Sequence, residues 1–495
     1  MSWLLLKGGT VLVHDGNDNI TPTLADVLVQ GDKIARIEPS ISTPKDCEVI
    51  DCAEKIVSPG FIDTHHHVWQ SPLKGLVGNK TFLQYHAVAH TASLELAPND
   101  LFWANLAGSM EAMDAGTTTT LDHAHMNWSR DHSKAAVAGT MTSGIRSIFA
   151  YSPVPVLQST KPTVKFAPDP LPDWVMGSFE QLATSSPLKD PNCRVQMGFG
   201  FDFYFLPKQV VQSVFSRVRA LGAKVITSHF VRQLSGGDSE SLVAKLKSYG
   251  LLGRDMVLSH AGGATREDVN LLAEAGCFIS TTPSTEQAMA VGPPVAFRDD
   301  LPGMDKLCSL GIDCHCATSS SLVGEMRLAL QGARGLNSTT QLRSGRFPTR
   351  IFHTTTEAFN LGTIQGARAL GMERDIGSIA VGKKADLIVM NSLSPAMSGA
   401  AHQDPVMAIV LHSGVGDIDT VVVDGKVRKR HGQLLPTKLM EWLREDSLME
   451  TERTISWQEV LQKILEMQRR LVSKLPDSNI SGIESHLREI YQLDS

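Results

Sequence analysis

The chain has 495 residues, of which 42% are hydrophobic, 20% charged and 6% aromatic, and its 46 Lys and Arg against 52 Asp and Glu leave a net charge of −6 at pH 7. No basic excess steers a polyanion and no acidic imbalance keeps the chain unfolded, so nucleic-acid binding and intrinsic disorder are excluded as its main role. At about 150 residues per domain the length suggests about three domains, but one α/β barrel can absorb about 250 to 400 residues, so a barrel plus a smaller unit fits.

Residues 1–9 have too short an apolar run for a signal peptide and read as a strand entering a Gly-Gly turn. No stretch offers the roughly 18 apolar residues of a membrane span, and seven scattered cysteines in a chain large enough to bury a core predict a reducing, cytoplasmic setting. Residues 10–13, 26–30, 33–37 and 49–51 alternate in the strand period between Gly and Asp turns, which makes residues 1–57 a small β module. Residues 385–390, 419–424 and 426–428 repeat the pattern, with Asp424-Gly425 as a hairpin signal. The two groups are expected to pair into one β-sandwich domain, 1–57 with 377–436, around an insertion at 58–376.

Within the insertion, short apolar strands alternate with helical patterns. Residues 194–201 alternate like a strand, and Val210, Val211, Val214, Val218 and Leu221 trace one helical face. Residues 225–229 precede a helix at 239–251, residues 256–260 precede one at 266–275, and 277–280 form the next strand. Repeated βα units of this length predict an α/β fold closed into a (β/α)8 TIM barrel. Residues 152–190, rich in Pro, Ser and Asp, form a long excursion suited to a lid. After Pro436, residues 440–444 and 457–474 predict a helical extension over 437–495 that wraps the barrel or meets another subunit.

The most informative stretch is 57–67, an apolar strand ending in His65-His66-His67. Alternate side chains of a strand share a face, so His65 and His67 can chelate one metal while His66 turns away. The motif alone is weak, because packed histidine pairs are common. His229 and His260 each end a predicted strand and Asp313 ends another, and singly each reads as a core or capping residue. Four strand ends carrying imidazole or carboxylate to the C-terminal mouth of a barrel instead read as a site for a divalent cation such as zinc.

Residues 59–67 (Pro-Gly-Phe-Ile-Asp-Thr-His-His-His), 115–122, 225–229, 257–260, 310–313, 377–386 and 419–425 together resemble the amidohydrolase superfamily. The branch is that of cytosine, guanine and adenosylhomocysteine deaminases and triazine hydrolases (chlorohydrolases), and the likeness runs to about residue 435. The resemblance implies a (β/α)8 barrel with a composite β-sandwich, and a metal held by His65, His67, His229 and Asp313. His260 would polarise the substrate or orient the water, and Asp313 would also accept the water's proton. One divalent ion is expected, zinc first with Fe2+ or Mn2+ as alternatives, because 194–201 holds no lysine to bridge a second. The implied reaction is attack of activated water on a trigonal carbon of a cyclic or aromatic small molecule, cleaving a non-peptide C–N bond. A homo-oligomer, dimer or tetramer, with neither nucleic acid nor membrane as partner, completes the expectation.

Two departures qualify it. Deaminases of this branch place a Glu three residues after the fifth-strand histidine, where this chain has Arg232, whose guanidinium is a fixed cation and not a proton shuttle. The polar residue usual after the fourth strand gives way to Gly-Phe-Asp-Phe-Tyr-Phe at 200–205. His125, Arg232, Glu286 and His315 are the candidate substrate contacts, and Trp69, Phe201, Phe203, Tyr204 and Phe205 are split between an aromatic-accepting pocket and core packing. The alternative is a non-hydrolytic decarboxylase or hydratase/isomerase with Arg232 holding a carboxylate. A catalytically silent scaffold is a third reading, which the five retained residues argue against.

Overall fold

In the computed structural model, which describes residues 2–161, 163–232, 241–475 and 479–490, the two ends of the chain share one sheet. Strand Leu387–Asn391 pairs antiparallel with Lys55–Pro59, which runs parallel to Trp3–His14. The nine strands of this sheet among the described residues carry their own apolar core of Leu4, Leu6, Val27, Val57, Leu387 and Val422 with their neighbours. The composite domain expected from the two alternating segments therefore forms.

Among the described residues, eight parallel strands make the barrel: Phe61–His66, Thr117–Ala124, Arg146–Tyr151, Val195–Gly200, Ile226–Val231, Met256–Gly262, Phe278–Thr281 and Cys308–Leu310. Neighbours in space are neighbours in sequence, the order that successive βα units produce. Thr117–Ala124 opens with four threonines, whose branched side chains suit the pleat, and all eight of its residues are buried. Helix Lys208–Ala220 buries Val211, Val214, Phe215 and Val218. Helix Arg266–Ala275 starts at Thr265, whose hydroxyl accepts from the Asp268 amide, and ends at Gly276, whose φ of 69° suits the left-handed cap. The helix expected from residue 239 is seen as Leu242–Ser248, and positions 239 and 240 lie outside the described residues.

The seam between the first and last strands is stitched just beyond the last one. The Asp313 amide donates to the His65 carbonyl at 2.8 Å, and the His67 amide donates to the Asp313 carbonyl at 3.1 Å. Barrel closure thus brings together residues from opposite ends of the insertion.

Barrel and sheet domain are joined by a buried ion cluster. Arg146 Nε and Nη2 donate to the two Asp386 oxygens at 2.6 and 3.1 Å, and Nη2 also donates to Asp424 at 2.7 Å. The Arg146 and Asp386 side chains are 5% and 2% exposed. Removing the cation strands two carboxylates, so Arg146→Met is expected to cost about 3 to 5 kcal/mol in denaturant unfolding. A loss below about 1 kcal/mol, as for a surface pair, would show that the joint does not depend on this charge.

The C-terminal extension differs from the helical expectation. Thr437–Arg444 and Ser447–Ile455 form an antiparallel hairpin. Buried Thr437 and Leu439 alternate with exposed Lys438, and Trp442 Nε1 donates to the Lys134 carbonyl, so packing on helix Arg130–Ser143 imposes the strand period. Helix Trp457–Lys474 follows as expected, and Gln468 donates to the Lys74 carbonyl at 2.7 Å. The excursion after residue 152 contains the short pair Leu157–Ser159 and Lys165–Phe166, then helix Asp173–Thr184. Leu157 and Phe166 pack with Leu83 and Ala87 of helix Phe82–Ser93 and with Ile483 and Leu487 of helix Ile480–Ile490. Among the described residues no helix is long and apolar enough to cross a membrane.

Candidate metal centre and active site

Strand alternation places His65 and His67 in one cluster, with ring centroids 4.9 Å apart. Asp313 reaches both: its Oδ1 lies 3.4 Å from His65 Nε2 and 3.2 Å from His67 Nε2. His229 Nε2 lies 3.3 Å from His67 Nε2. His260 completes the group, with Nε2 3.9 Å from Asp313 Oδ2 and its ring 5.4 Å from that of His65.

The backbone is bent to make this convergence. Asp313, His260 and Ala261 have φ of 60°, 73° and 56°, in the left-handed region, and the pairing of the fifth and sixth strands shifts register at this point. Such strain persists where surrounding structure enforces it, and bulges at barrel rims re-aim side chains. Gly311 permits the close approach of the last strand to the first. A Cβ there would lie 2.7 Å from the His65 carbonyl oxygen and 2.6 Å from Ser280 Oγ. Beneath the cluster, Thr64 Oγ1 bonds to Ser280 Oγ, Ser309 Oγ and the Leu310 carbonyl at 2.8 to 2.9 Å, a polar floor that fixes the strand ends.

The cluster fits a divalent cation. Both ring nitrogens of His65 are buried without a hydrogen-bond partner, an expensive state for an imidazole unless something else meets them. Separations of 3.2 to 3.4 Å between donor atoms match the roughly 3.3 Å expected for two ligands, each about 2.0 to 2.1 Å from one tetrahedral ion. The tautomers agree too. His67 Nδ1 donates to the His123 carbonyl at 2.9 Å, which leaves Nε2 unprotonated and facing the cluster. Burial lowers the pKa of His65 and His67, keeping them neutral, as ligands must be. Burial alone would raise that of Asp313, but the His65 and His67 imidazoles packed against it, with His260 beside them, hold its carboxyl well below the usual range.

The remaining expected residues are spread around this centre. His125 lies against His67, with ring centroids 4.3 Å apart, and its Nδ1 donates to the His123 carbonyl. Glu286 lies behind His260. Its Oε1 accepts from the Thr282 amide at 2.8 Å and comes within 3.6 Å of His260 Nδ1, which also bonds to Thr282 Oγ1 at 3.0 Å. His315 faces away from the cluster: its Nδ1 meets His66 Nε2 at 2.8 Å and its Nε2 meets Ser71 Oγ at 3.1 Å, while His66 Nδ1 bonds to Asp63 at 2.7 Å. Arg232 donates at 3.2 Å to Asp268, in the first turn of helix Arg266–Ala275 beyond the sixth strand. Of the aromatic residues, Trp69, Phe201 and Phe203 are core, Tyr204 bonds to Ser228 Oγ, and Phe205 is 71% exposed.

Two groups escaped the sequence reading. The Asp63–His66–His315–Ser71 chain is one, and Asp202 is the other, bonded to both the backbone and the ring of His229. The one available signal for Asp202 is a lone carboxylate in an aromatic run directly after a barrel strand.

The amidohydrolase family model matches residues 56–163 and 220–428, leaving 164–219 outside the match. A 5-methylthioadenosine/S-adenosylhomocysteine deaminase of Thermococcus onnurineus is 26% identical over 449 residues, 86% of this chain and 93% of that protein. A 5'-deoxyadenosine deaminase of Methanobrevibacter smithii is 27% identical over 435 residues, 82% and 89% respectively. Among solved structures, an adenosine deaminase from Xanthomonas campestris with bound zinc superposes with a TM-score of 0.76 at 16% identity, covering 95% of this chain and 98% of that one. An atrazine chlorohydrolase from Arthrobacter aurescens with zinc gives 0.74 at 17%, covering 94% and 100%. At these identities the structural likeness speaks for the fold.

Proposed function

Because the chain belongs to the amidohydrolase family, we propose that it hydrolyses the exocyclic C–N bond of an aminated cyclic or aromatic small molecule and releases ammonia or an amine. The single observation that carries this reading is the convergence of His65, His67, His229 and Asp313 on one point with His260 beside it. Those first four residues would hold one divalent ion, zinc first and iron(II) or manganese(II) as alternatives. When bound, such an ion supplies a nucleophile at neutral pH by lowering the pKa of water towards about 7.

The protein's own groups do the rest. Asp313, kept anionic by its imidazole neighbours, accepts the proton of the attacking water. His260, held from behind by Thr282 and Glu286, turns Nε2 towards the centre, where it stabilises charge gathering on the attacked carbon's substituent. His125, packed against His67, stands beside the centre where a planar ring would lie. The deaminase relatives make aminated purine nucleosides the first substrate class to try.

The non-hydrolytic alternative leaned on Arg232 as a carboxylate holder, but its guanidinium lies on Asp268. Seven unpaired cysteines, five of them buried, support a cytoplasmic setting. Exposed Leu336, Leu342, Phe347 and Ile351 support a homo-oligomer. The test is a panel of 6-aminopurine nucleosides, aminopyrimidines, aminotriazines and aromatic acids, with ammonia and carbon dioxide followed separately. Ammonia or amine release is expected, and carbon dioxide without either would overturn the hydrolase.

A further inference from the structure

Asp202 stands at the mouth of the barrel, two residues beyond the fourth strand, in the stretch that the family model leaves unmatched. Both of its oxygens are committed to one neighbour. Oδ1 accepts from the His229 backbone N–H at 2.8 Å, and Oδ2 accepts from His229 Nδ1, also at 2.8 Å. The other face of Oδ2 lies 3.4 Å from His123 Nε2. His123 is wedged there because Gly200 has no side chain: a Cβ at 200 would lie 2.9 Å from His123 Nε2 and 2.8 Å from Ser152 Cβ.

We propose that Asp202 is a positioning residue for the cation site, gripping His229 at backbone and ring so that Nδ1 carries the proton and Nε2 is presented to the ion. This rests on the reading of His229 as a metal ligand. The chemistry follows from what each atom can do. A carboxylate only accepts, so the Nδ1 facing it carries the hydrogen, and neutral imidazole then has its lone pair on Nε2, the atom 3.3 Å from His67 Nε2. His67 obtains the same tautomer from a backbone carbonyl, so the two ligands are set by different devices. A carboxylate behind a ligating histidine also raises the basicity of the ligand, and loss of such partners typically costs about 10- to 100-fold in metal affinity.

A competing assignment is available from the same atoms. His123, Asp202 and His229 bring three donor atoms within 4.8 Å of one another, which meets the spacing for a second cation. The 2.8 Å contact between Asp202 and His229 Nδ1 is a hydrogen-bond length, and a second ion would require His229 to ligate through both nitrogens at once. The positioning role needs no such bridge.

Asparagine discriminates, because it offers one acceptor and one donor where Asp202 offers two acceptors. If its oxygen keeps the His229 backbone N–H, its NH2 faces Nδ1 and can be accepted only by the unprotonated atom, which moves the ring hydrogen to Nε2. Asp202→Asn is therefore expected to weaken zinc binding to the purified full-length protein by about 10- to 100-fold in competition with a chromophoric chelator. Thermal midpoints of the metal-free proteins should match, and wild type and His123→Gln should each bind one equivalent with equal affinity. Wild-type affinity in Asp202→Asn would overturn the proposal. So would two zinc equivalents in wild type with one lost in His123→Gln, which would make Asp202 a ligand of a second ion. The wild-type stoichiometry keeps that second result decisive even if Asp202→Asn fails to fold. A wild-type protein that takes up neither zinc, iron(II) nor manganese(II) would overturn the cation site itself, separately from the role of Asp202.

Discussion

Replacing Asp313 with Asn is expected to lower kcat by about 10³- to 10⁴-fold while the barrel stays closed. The two functions of this residue are carried by different atoms. Its amide and carbonyl stitch the seam to His65 and His67, and an asparagine keeps both. Its carboxylate lies 3.2 to 3.4 Å from two imidazole nitrogens and is a buried anion that both of them face. Asparagine occupies the same volume but can neither take a proton from water nor offer a charged oxygen to an ion. The check is kcat on whichever aminated heterocycle proves to be the substrate, with far-UV dichroism and the thermal midpoint as controls for folding. Unchanged turnover would remove Asp313 as the base, whereas lost turnover together with a collapsed midpoint would mean that the side chain is needed for the seam itself.

If the proposed cation is bound, stripping it with a chelator is expected to abolish turnover and to lower stability, and one equivalent of zinc should restore both. The stability change follows from linkage: an ion that binds only the folded chain contributes RT ln(1 + [L]/Kd), about 4 kcal/mol when free ion stands at 1,000 times Kd. The free-energy gain is plausible here because the metal-free site is costly. His65 keeps two buried nitrogens without partners, and His229, His260 and His67 crowd the same small volume. Calorimetry across a zinc series reads the effect directly, since the thermal midpoint should climb with the logarithm of free zinc. A midpoint indifferent to zinc, iron(II) and manganese(II) would mean that these histidines pack without ligating.

Much of this centre was legible in the sequence because barrels report their active sites at strand ends. His65, His67, His229, His260 and Asp313 each follow a short apolar run, so a period-2 reading and knowledge of where barrel strands point bring them to one mouth. The composite sheet was legible for the same reason, as alternation survives a long insertion. What the sequence hid are pairings whose partners lie far apart. Asp202 and His229 are 27 residues apart, and His66 and His315 are 249 apart, so no local spacing signals either hydrogen bond. Residues 437–455 form a hairpin in place of the expected helix for another reason: a short segment with mixed apolar spacing takes the period of whatever surface it packs on, here helix Arg130–Ser143.

The stitch at Asp313 has a consequence for how the molecule holds its shape. Its two backbone hydrogen bonds close a loop of about 250 residues, whose ends regain their freedom when it is released. The ion proposed for His65, His67 and Asp313 would span that same gap and act as a rivet across it. The cylinder would then be fastened from inside by the atom that it uses, and removing that ion would undo the clasp of the ring as well as take away the reagent.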